Sequence, residues 1–222
     1  MNQNLSKYID HTLLSPTATR PQIEKLCKEA DEFQFASVCV NPSYVSYASE
    51  LLKNSAVKVC TVIGFPLGAT STEAKVFETK QAIEDGATEI DMVINQGQAK
   101  DKCWEDISSE IKAIKETCGN FVLKVILETS HLTDEEIMSA SKAASDAGAD
   151  FVKTSTGFGS GGASIHAVKL MKKSIAGNVA IKASGGIRDK ATAEEYIALG
   201  VTRIGTSSGI SIINNEKSTS NY

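Results

Sequence analysis

The sequence lacks several features that would place a protein in a class at once. No run reaches the roughly 18 apolar residues of a membrane helix, and the amino terminus has no apolar core after a basic start. Basic residues are not in excess, since 23 Lys and Arg stand against 27 Asp and Glu, for a formal net charge of -4. We therefore expect a cytoplasmic protein that neither enters a membrane nor binds nucleic acid.

Cysteine and proline are also scarce. The five cysteines form no C-x-x-C pair, and Cys39 and Cys60 fall in apolar, strand-like runs. We expect reduced thiols that act as small hydrophobic side chains, and neither a metal nor a cofactor, because no His, Cys and Asp cluster has ligand spacing. All four prolines precede residue 67 and no linker divides the chain, which predicts a single domain over residues 1–213 and a polar tail over residues 214–222.

Short β-branched runs recur along the chain and alternate with amphipathic helical stretches. Seven runs are clear, at 36–41, 57–64, 88–95, 121–129, 149–154, 178–184 and 202–207, and a weaker eighth lies at 8–14. One intervening helix is predicted to open with a capping box, Thr133 to Glu136, and to close at Gly148. The alternation predicts an α/β fold with a parallel sheet, and eight units predict a (β/α)8 TIM barrel, with an open doubly wound sheet as the alternative.

Four charged residues interrupt the predicted strands: Asp91 in the fourth, Lys124 in the fifth, Lys153 in the sixth and Lys182 in the seventh. A charge in a strand covered on both faces must be paired or must point into the barrel mouth. One interpretation is a structural ion pair, such as Asp91 with Lys124. The other is chemical, because repulsion between Lys153 and Lys182, together with burial, would leave one amine neutral and nucleophilic for Schiff-base formation. The pattern alone does not say which lysine attacks.

Glycine- and serine-rich segments follow the last two strands, SGGIRD at 184–189 and GTSSGISII at 205–213. Glycines let backbone N–H groups approach an anion, and a helix starting at Ser207 or Ser208 would turn its positive end toward it. Since the corresponding loops of many barrels hold a phosphate, we favour a phosphate site over two ordinary turns.

A third glycine-rich segment, GFGSGG, matches G-x-G-x-x-G at Gly157, Gly159 and Gly162. In a dinucleotide site an acid would follow at roughly 20 residues, whereas the first acid after the next strand, Asp189, comes about a dozen residues later than that. We therefore assign Gly157 to the phosphate rim and the other two glycines to a flexible loop.

Six motifs in order resemble the deoxyribose-phosphate aldolase family over residues 9–209. They are IDHTLL, EIDMVIN, LKVILET, FVKTSTGF, IKASGGIRD and GTSSG. The resemblance implies a metal-free class I aldolase that reversibly cleaves 2-deoxy-D-ribose 5-phosphate, between C2 and C3, to D-glyceraldehyde 3-phosphate and acetaldehyde. It implies that Lys153 forms the Schiff base, that Lys182 and Asp91 carry protons with a bound water, and that Lys124 orients Asp91.

The resemblance also implies which residues contact the phosphate. They are Gly157, Gly185, Gly186, Gly205, Ser207 and Ser208. Phe158 stands where some relatives carry a lysine, so phosphate binding here would depend more on backbone amides. Tyr222 resembles a terminal tyrosine that relays protons, with a disordered end as the alternative.

Other functions remain open at this point. They are a Schiff-base aldolase for a different phosphorylated sugar, a noncatalytic phosphosugar-binding barrel, and an oxidoreductase that uses the GFGSGG segment. Whether the protein is a homo-oligomer is also left open.

Overall fold

The computed structural model describes residues 5–216, in which eight parallel strands close into a barrel. The strands are β1 (Ile9–Leu13), β2 (Ser37–Val40), β3 (Lys58–Ile63), β4 (Glu89–Val93), β5 (Val122–Ile126), β6 (Phe151–Lys153), β7 (Ala180–Ser184) and β8 (Arg203–Thr206). Each strand pairs with the next along the chain, and β8 pairs with β1. The predicted TIM barrel is thereby confirmed, including its weak first strand, and the doubly wound alternative is excluded.

Helices follow the strands and cover the outside of the barrel. They are α1 (Arg20–Glu32), α2 (Val45–Leu51), α3 (Thr72–Glu84), α4 (Gln96–Lys100), α5 (Trp104–Cys118), α6 (Asp134–Asp146), α7 (Ile165–Ser174), α8 (Lys190–Ala198) and α9 (Gly209–Asn214). The predicted capping box opens α6, because the Glu136 amide donates to Thr133 Oγ1 and the Thr133 amide donates to the Glu136 carboxylate. Gly148, at φ 86°, follows the end of that helix.

Residues of β4 show how the fold separates apolar from charged side chains. Ile90 and Met92 pack in the main core with apolar residues of α5, such as Ile107 and Ile111. Asp91, between them, is completely buried and contacts lysines from other strands. Since successive side chains of a strand point to opposite faces, the outer face of the barrel is apolar and the interior receives the charges.

The two ends of the chain bear on the predicted tail and its boundary. Residues 1–4 and 217–222 are outside the described part, so Tyr222 and most of the expected tail have no structural description. The helix α9 extends to Asn214, across the boundary expected at residue 213. Within residues 5–216, no helix combines the length and apolarity needed to cross a membrane.

Candidate active site

A cavity of about 340 Å³ opens at the carboxyl ends of the strands, where the charges were expected to converge. It is lined by Thr12, Leu14, Lys153, Thr156, Gly157, Phe158, Ser184, Gly185, Gly186, Ile187, Arg188, Gly205, Thr206 and Ser207. These residues come from β1, β6, β7, β8 and the segments after them. The volume suits a small molecule, and the position is where TIM barrels bind their substrates.

Lys153 and Lys182 lie side by side in this site. They are register partners on β6 and β7, as their adjacent strands predicted. The Nζ atoms of both contact the same carboxylate oxygen, Asp91 Oδ2, at 2.7 and 2.8 Å respectively. All three residues are buried, and of the three only Lys153 lines the cavity.

Lys124 binds the other oxygen of the same carboxylate. Its Nζ lies 2.8 Å from Asp91 Oδ1 and 2.7 Å from Glu89 Oε2, with no exposure to solvent. The Asp91–Lys124 ion pair offered by the sequence as an alternative is therefore present. It coexists with the contacts from Lys153 and Lys182, so the structural and chemical interpretations do not exclude each other.

Three further charged residues extend the network and were missed by sequence reasoning: Asp10, Glu89 and Arg203. Asp10 Oδ2 lies 2.6 Å from Lys182 Nζ, and Arg203 binds both Asp10 and Glu89, the latter at 2.6 Å. Of the three, only Asp10 lies inside a strand, which is the signal that identified Asp91. Asp10 lay in the weakest predicted strand, and the other two stood at strand ends, where a charge is ordinary.

Opposing effects determine the protonation of the network. Burial raises the pKa of Asp91, but the ammonium groups of Lys124, Lys153 and Lys182 outweigh it and hold that pKa well below its ordinary value. Burial lowers the pKa of Lys182, yet Asp10 and Asp91 outweigh it and raise that pKa. Asp91 is thus a carboxylate and Lys182 an ammonium at neutral pH.

The glycine-rich rim depends on a close approach between two loops. Gly185 has φ 88°, and a Cβ on Gly162 would lie 2.2 Å from the Gly185 carbonyl oxygen. The Ala163 amide donates to the carbonyls of Ser184 and Gly185, which joins the segment after β6 to the segment after β7. Gly162, assigned from the sequence to a flexible loop, is therefore required by backbone packing.

Most of the expected phosphate contacts lie at the cavity, with one exception. Gly157, Gly185, Gly186, Gly205 and Ser207 belong to its lining. Ser208 is buried at the start of α9, where its amide donates to Thr206 Oγ1, and it is not among the lining residues. A side chain that was missed, exposed Arg188, also lines the cavity, and its position in SGGIRD just after the glycines was the available signal.

Glu128 supports the same rim from the end of β5 and was not singled out from the sequence. Its carboxylate accepts hydrogen bonds from the Thr156 hydroxyl and, at 3.3 Å, from the Thr156 amide, while Glu128 itself is only 1% exposed. The residue has φ 58°, an uncommon conformation for a side chain of this size. Glu128 therefore anchors the segment that carries Gly157 and Phe158.

The buried thiols differ from the sequence expectation in one respect. Cys39 packs in a small apolar cluster with Leu14 and Val62, as expected of a small hydrophobe. Cys60 also belongs to it, but its Sγ lies 3.2 Å from Asp91 Oδ1. The two thiols and Asp91 are close enough to surround a metal ion. The arrangement does not fit one, because the ammonium groups of Lys124 and Lys182 already neutralise the carboxylate and would repel a further cation.

Comparison with known proteins gives a consistent result. Residues 5–212 match the model of the DeoC/LacD family of aldolases. Deoxyribose-phosphate aldolase from Brevibacillus brevis is 55% identical over 216 residues, 97% of this chain and 98% of that protein. The deoxyribose-phosphate aldolase from Halalkalibacterium halodurans is 54% identical over the full length of both chains. The tetrameric deoxyribose phosphate aldolase structure from Aeropyrum pernix has a TM-score of 0.87 at 35% identity, covering 95% of this chain and 89% of that one.

Proposed function

The chain belongs to the DeoC/LacD family of aldolases, and we propose that it cleaves 2-deoxy-D-ribose 5-phosphate reversibly to D-glyceraldehyde 3-phosphate and acetaldehyde. The observation that carries the proposal is the Lys153 amine, which lines the cavity and shares Asp91 Oδ2 with the Lys182 ammonium. The names of the relatives supply the substrate, since their similarity extends over nearly the whole chain.

Lys153 is the nucleophile in this proposal. Its neutral amine adds to the C1 aldehyde of the open-chain sugar, and loss of water from the adduct leaves an iminium ion that accepts electrons from C2. Lys182 keeps its proton because Asp10 and Asp91 stabilise the ammonium. That ammonium can donate a proton to the departing hydroxyl and then recover it through water.

Cleavage follows from the iminium. A base removes the proton of the C3 hydroxyl, the C2–C3 bond breaks, and C3 becomes the aldehyde of glyceraldehyde 3-phosphate while an enamine remains on Lys153. Protonation at C2 and addition of water at C1 release acetaldehyde and restore the amine. Asp91 is a weak base while cations surround it, and it becomes more basic as the iminium nitrogen of Lys153 loses its positive charge on forming the enamine during cleavage.

The phosphate is assigned to the glycine rim with Arg188. Gly185 and Gly186 adopt positive φ and place their backbone at the cavity, and Arg188 supplies a charge that can bind an anion. Ser207 also lines the cavity and offers a hydroxyl group for the same purpose. Holding the far end of the sugar positions C1 against the amine, which is catalysis by proximity. Phe158 contributes no charge. Its ring packs edge-on against the ring of Phe65, with 5.3 Å between the ring centroids.

Trapping of the covalent intermediate tests the nucleophile. The protein is incubated with acetaldehyde or deoxyribose 5-phosphate, reduced with borohydride and digested for peptide mass spectrometry. We expect a two-carbon adduct from acetaldehyde on Lys153, absent from Lys153→Leu. An adduct on Lys182 would reverse the two lysine roles, and a protein without any adduct would have to be considered a noncatalytic phosphosugar-binding barrel.

Selectivity for the phosphate is tested at Ser207. In Ser207→Asp, repulsion should raise KM for deoxyribose 5-phosphate much more than for unphosphorylated deoxyribose, with Ser207→Ala as the neutral control. An equal change for both sugars would contradict the phosphate assignment. A preference for another phosphorylated sugar in the same assay would favour the alternative aldolase.

Assembly and location are proposals of the same kind. A homo-oligomer is supported by the tetrameric structure of the Aeropyrum pernix relative, and light scattering after size exclusion would test it. A cytoplasmic location is supported by the five free cysteines and would be tested by fractionation. The division at residue 213 and a role for Tyr222 also stay predictions, the latter testable by Tyr222→Phe.

A further inference from the structure

The ionised side chains inside the barrel form one continuous group, called here the charge cluster. Its members are Asp10, Glu89, Asp91, Lys124, Lys153, Lys182 and Arg203. Four are cations and three are carboxylates. With every member ionised, the charge cluster would carry one unbalanced positive charge in a buried environment, which is unfavourable.

The contacts identify which cation carries the imbalance. Lys182 binds Asp10 and Asp91, and Arg203 binds Asp10 and Glu89. Lys124 contacts three carboxylates, with Glu89 at 2.7 Å, Asp91 at 2.8 Å and Asp10 at 3.9 Å. Lys153 binds one, through an oxygen that Lys182 also occupies. If the charge cluster releases one proton, the least stabilised ammonium, Lys153, is the one that loses it.

We propose that Arg203 is a positioning residue that keeps the Lys153 amine deprotonated, although it lies at the opposite end of the barrel from the cavity. Arg203 is the first residue of β8, whereas the cavity opens at the carboxyl ends of the strands. It acts through Asp10 and Glu89, whose negative charge it neutralises. Without Arg203, three cations face three carboxylates, and the proton on Lys153 is balanced.

The inference rests on the proposed function, in which neutral Lys153 attacks. The variants used in the test leave the other charged or titratable residues near the site in place. They are Arg188 at the cavity, Glu128 beneath Thr156, and the thiols of Cys39 and Cys60 beside Asp91. Burial raises the pKa of Cys60 well above its ordinary value, so that thiol is neutral in the range of the experiment.

The first experiment compares Arg203→Met with Arg203→Lys. Activity as kcat/KM should rise with pH as Lys153 loses its proton, and Arg203→Met should move this rise to higher pH by about half a unit or more. Arg203→Lys retains the charge and should leave the midpoint within about 0.2 units of the wild type. A midpoint does not depend on the fraction of folded protein, so a merely structural role would lower the amplitude without moving it.

The second experiment reverses the sign. Glu89→Gln removes one carboxylate, which increases the positive excess and should move the midpoint to lower pH. The double variant Arg203→Met with Glu89→Gln restores an excess of one and should titrate near the wild type. The proposal is overturned if Arg203→Met and Arg203→Lys lower kcat/KM equally without moving the midpoint of its rise with pH. It is also overturned if Glu89→Gln does not move that midpoint to lower pH. Should Arg203→Met not fold, Arg203→Gln, which is also uncharged but keeps a hydrogen-bond donor, takes its place in the comparison with Arg203→Lys.

A third experiment distinguishes failure of the proposed aldolase function from failure of the proposed role of Arg203. It measures the pH dependence of acetaldehyde trapping from the mass of the Lys153 peptide after reduction. A missing adduct, or one on another lysine, would remove the proposed function. An adduct on Lys153 whose yield has the same midpoint in all variants would remove only the role of Arg203.

Discussion

At the scale of single residues, Glu128 is the side chain whose role can be isolated best. It holds Thr156 through the hydroxyl and the backbone amide, and Thr156 precedes the rim glycine Gly157. In Glu128→Gln an amide group replaces the carboxyl group whose one oxygen accepts both hydrogen bonds, and each such bond is worth about 0.5–1.5 kcal/mol. We expect KM for the phosphorylated sugar to rise by about tenfold with kcat within about twofold, as measured by steady-state kinetics.

Thr156 provides the matched controls for this prediction. Thr156→Ser keeps the hydroxyl that Glu128 accepts from and should resemble the wild type, whereas Thr156→Val should behave like Glu128→Gln. A large fall in kcat at unchanged KM in Glu128→Gln would show that the carboxylate acts on the reaction itself rather than on the rim.

Gly162 offers a second prediction, based on backbone packing. Gly162→Ala places a methyl group 2.2 Å from the Gly185 carbonyl oxygen, and neither backbone can move without separating the two rim segments. Overpacking of this kind costs about 1–3 kcal/mol, and we expect both a lower free energy of unfolding in urea and a higher KM. The control is Gly97→Ala in α4, where a Cβ would meet only the Asn95 Oδ1 side-chain oxygen at 3.3 Å. Equal effects of the two substitutions would refute the close-approach argument.

Single residues also show how far sequence reasoning extends. Asp91, Lys124, Lys153 and Lys182 were identified because each charge lies within an apolar run, and the barrel brings all four together. Arg203 could not be identified in this way, since an arginine at the start of a strand is usually solvated. Its burial results from Asp10 and Glu89, two partners distant in sequence, and no local pattern encodes that arrangement.

At the scale of elements, an ion pair joins two helices behind the site. Lys75 of α3 and Glu110 of α5 are both buried, 2.8 Å apart, and Lys75 Nζ also donates to the carbonyl of Val93 at the end of β4. Burial lowers the pKa of Lys75 and raises that of Glu110, so the pair does not fully compensate its loss of hydration. The interaction fixes α3 and α5 to β4 at a cost in hydration.

Removing one partner of this ion pair should therefore lower the free energy of unfolding much more than replacing both partners with apolar side chains. Lys75→Met leaves an unpaired buried carboxylate and should lower the free energy of unfolding by about 3–5 kcal/mol, whereas adding Glu110→Leu should recover most of the loss. Urea denaturation measures both. The exposed pair of Lys142 and Asp146 on α6 is the control, because Lys142→Ala should change stability by about 1 kcal/mol or less. A double variant as unstable as Lys75→Met would contradict the argument.

The sequence predicted which segments form strands more reliably than the residues at which the strands begin and end. All eight strands were found, yet the run proposed at 121–129 contains a strand only over Val122–Ile126. Residues 127–129 continue the apolar and β-branched pattern, but Glu128 turns into the left-handed region to reach Thr156. This contact spans two segments of the chain, and a pattern read along one of them cannot reveal it.

At the scale of the whole molecule, closing the barrel brings together charges that are far apart in sequence, and this connects stability to pH. The pKa values of Asp10 and Asp91 are lowered, although burial opposes the shift, because the surrounding cations outweigh it. In the unfolded chain each would titrate near the ordinary value of about 3.9. A carboxyl group with a lowered pKa in the folded state stabilises the protein above its unfolded pKa, and this contribution is lost as the pH falls toward the folded value.

We therefore expect the free energy of unfolding, from urea titrations, to be nearly constant between about pH 5 and 8 and to fall progressively below about pH 5, as the unfolded chain takes up protons that the folded barrel excludes. Because these charges are buried, about 0.5 M salt should hardly change the slope of this fall in the free energy of unfolding below pH 5. A fall caused by surface ion pairs would become shallower in salt. Arg203→Lys keeps the charge and should lose as much unfolding free energy at acid pH as the wild type. Arg203→Met should lose less, because Asp10 then has one cation fewer beside it. A barrel equally stable at pH 3 and pH 7 would show that the interior carboxylates are not held ionised by the cations around them, and the assignment of Lys153 as the uncompensated amine would lose its electrostatic basis.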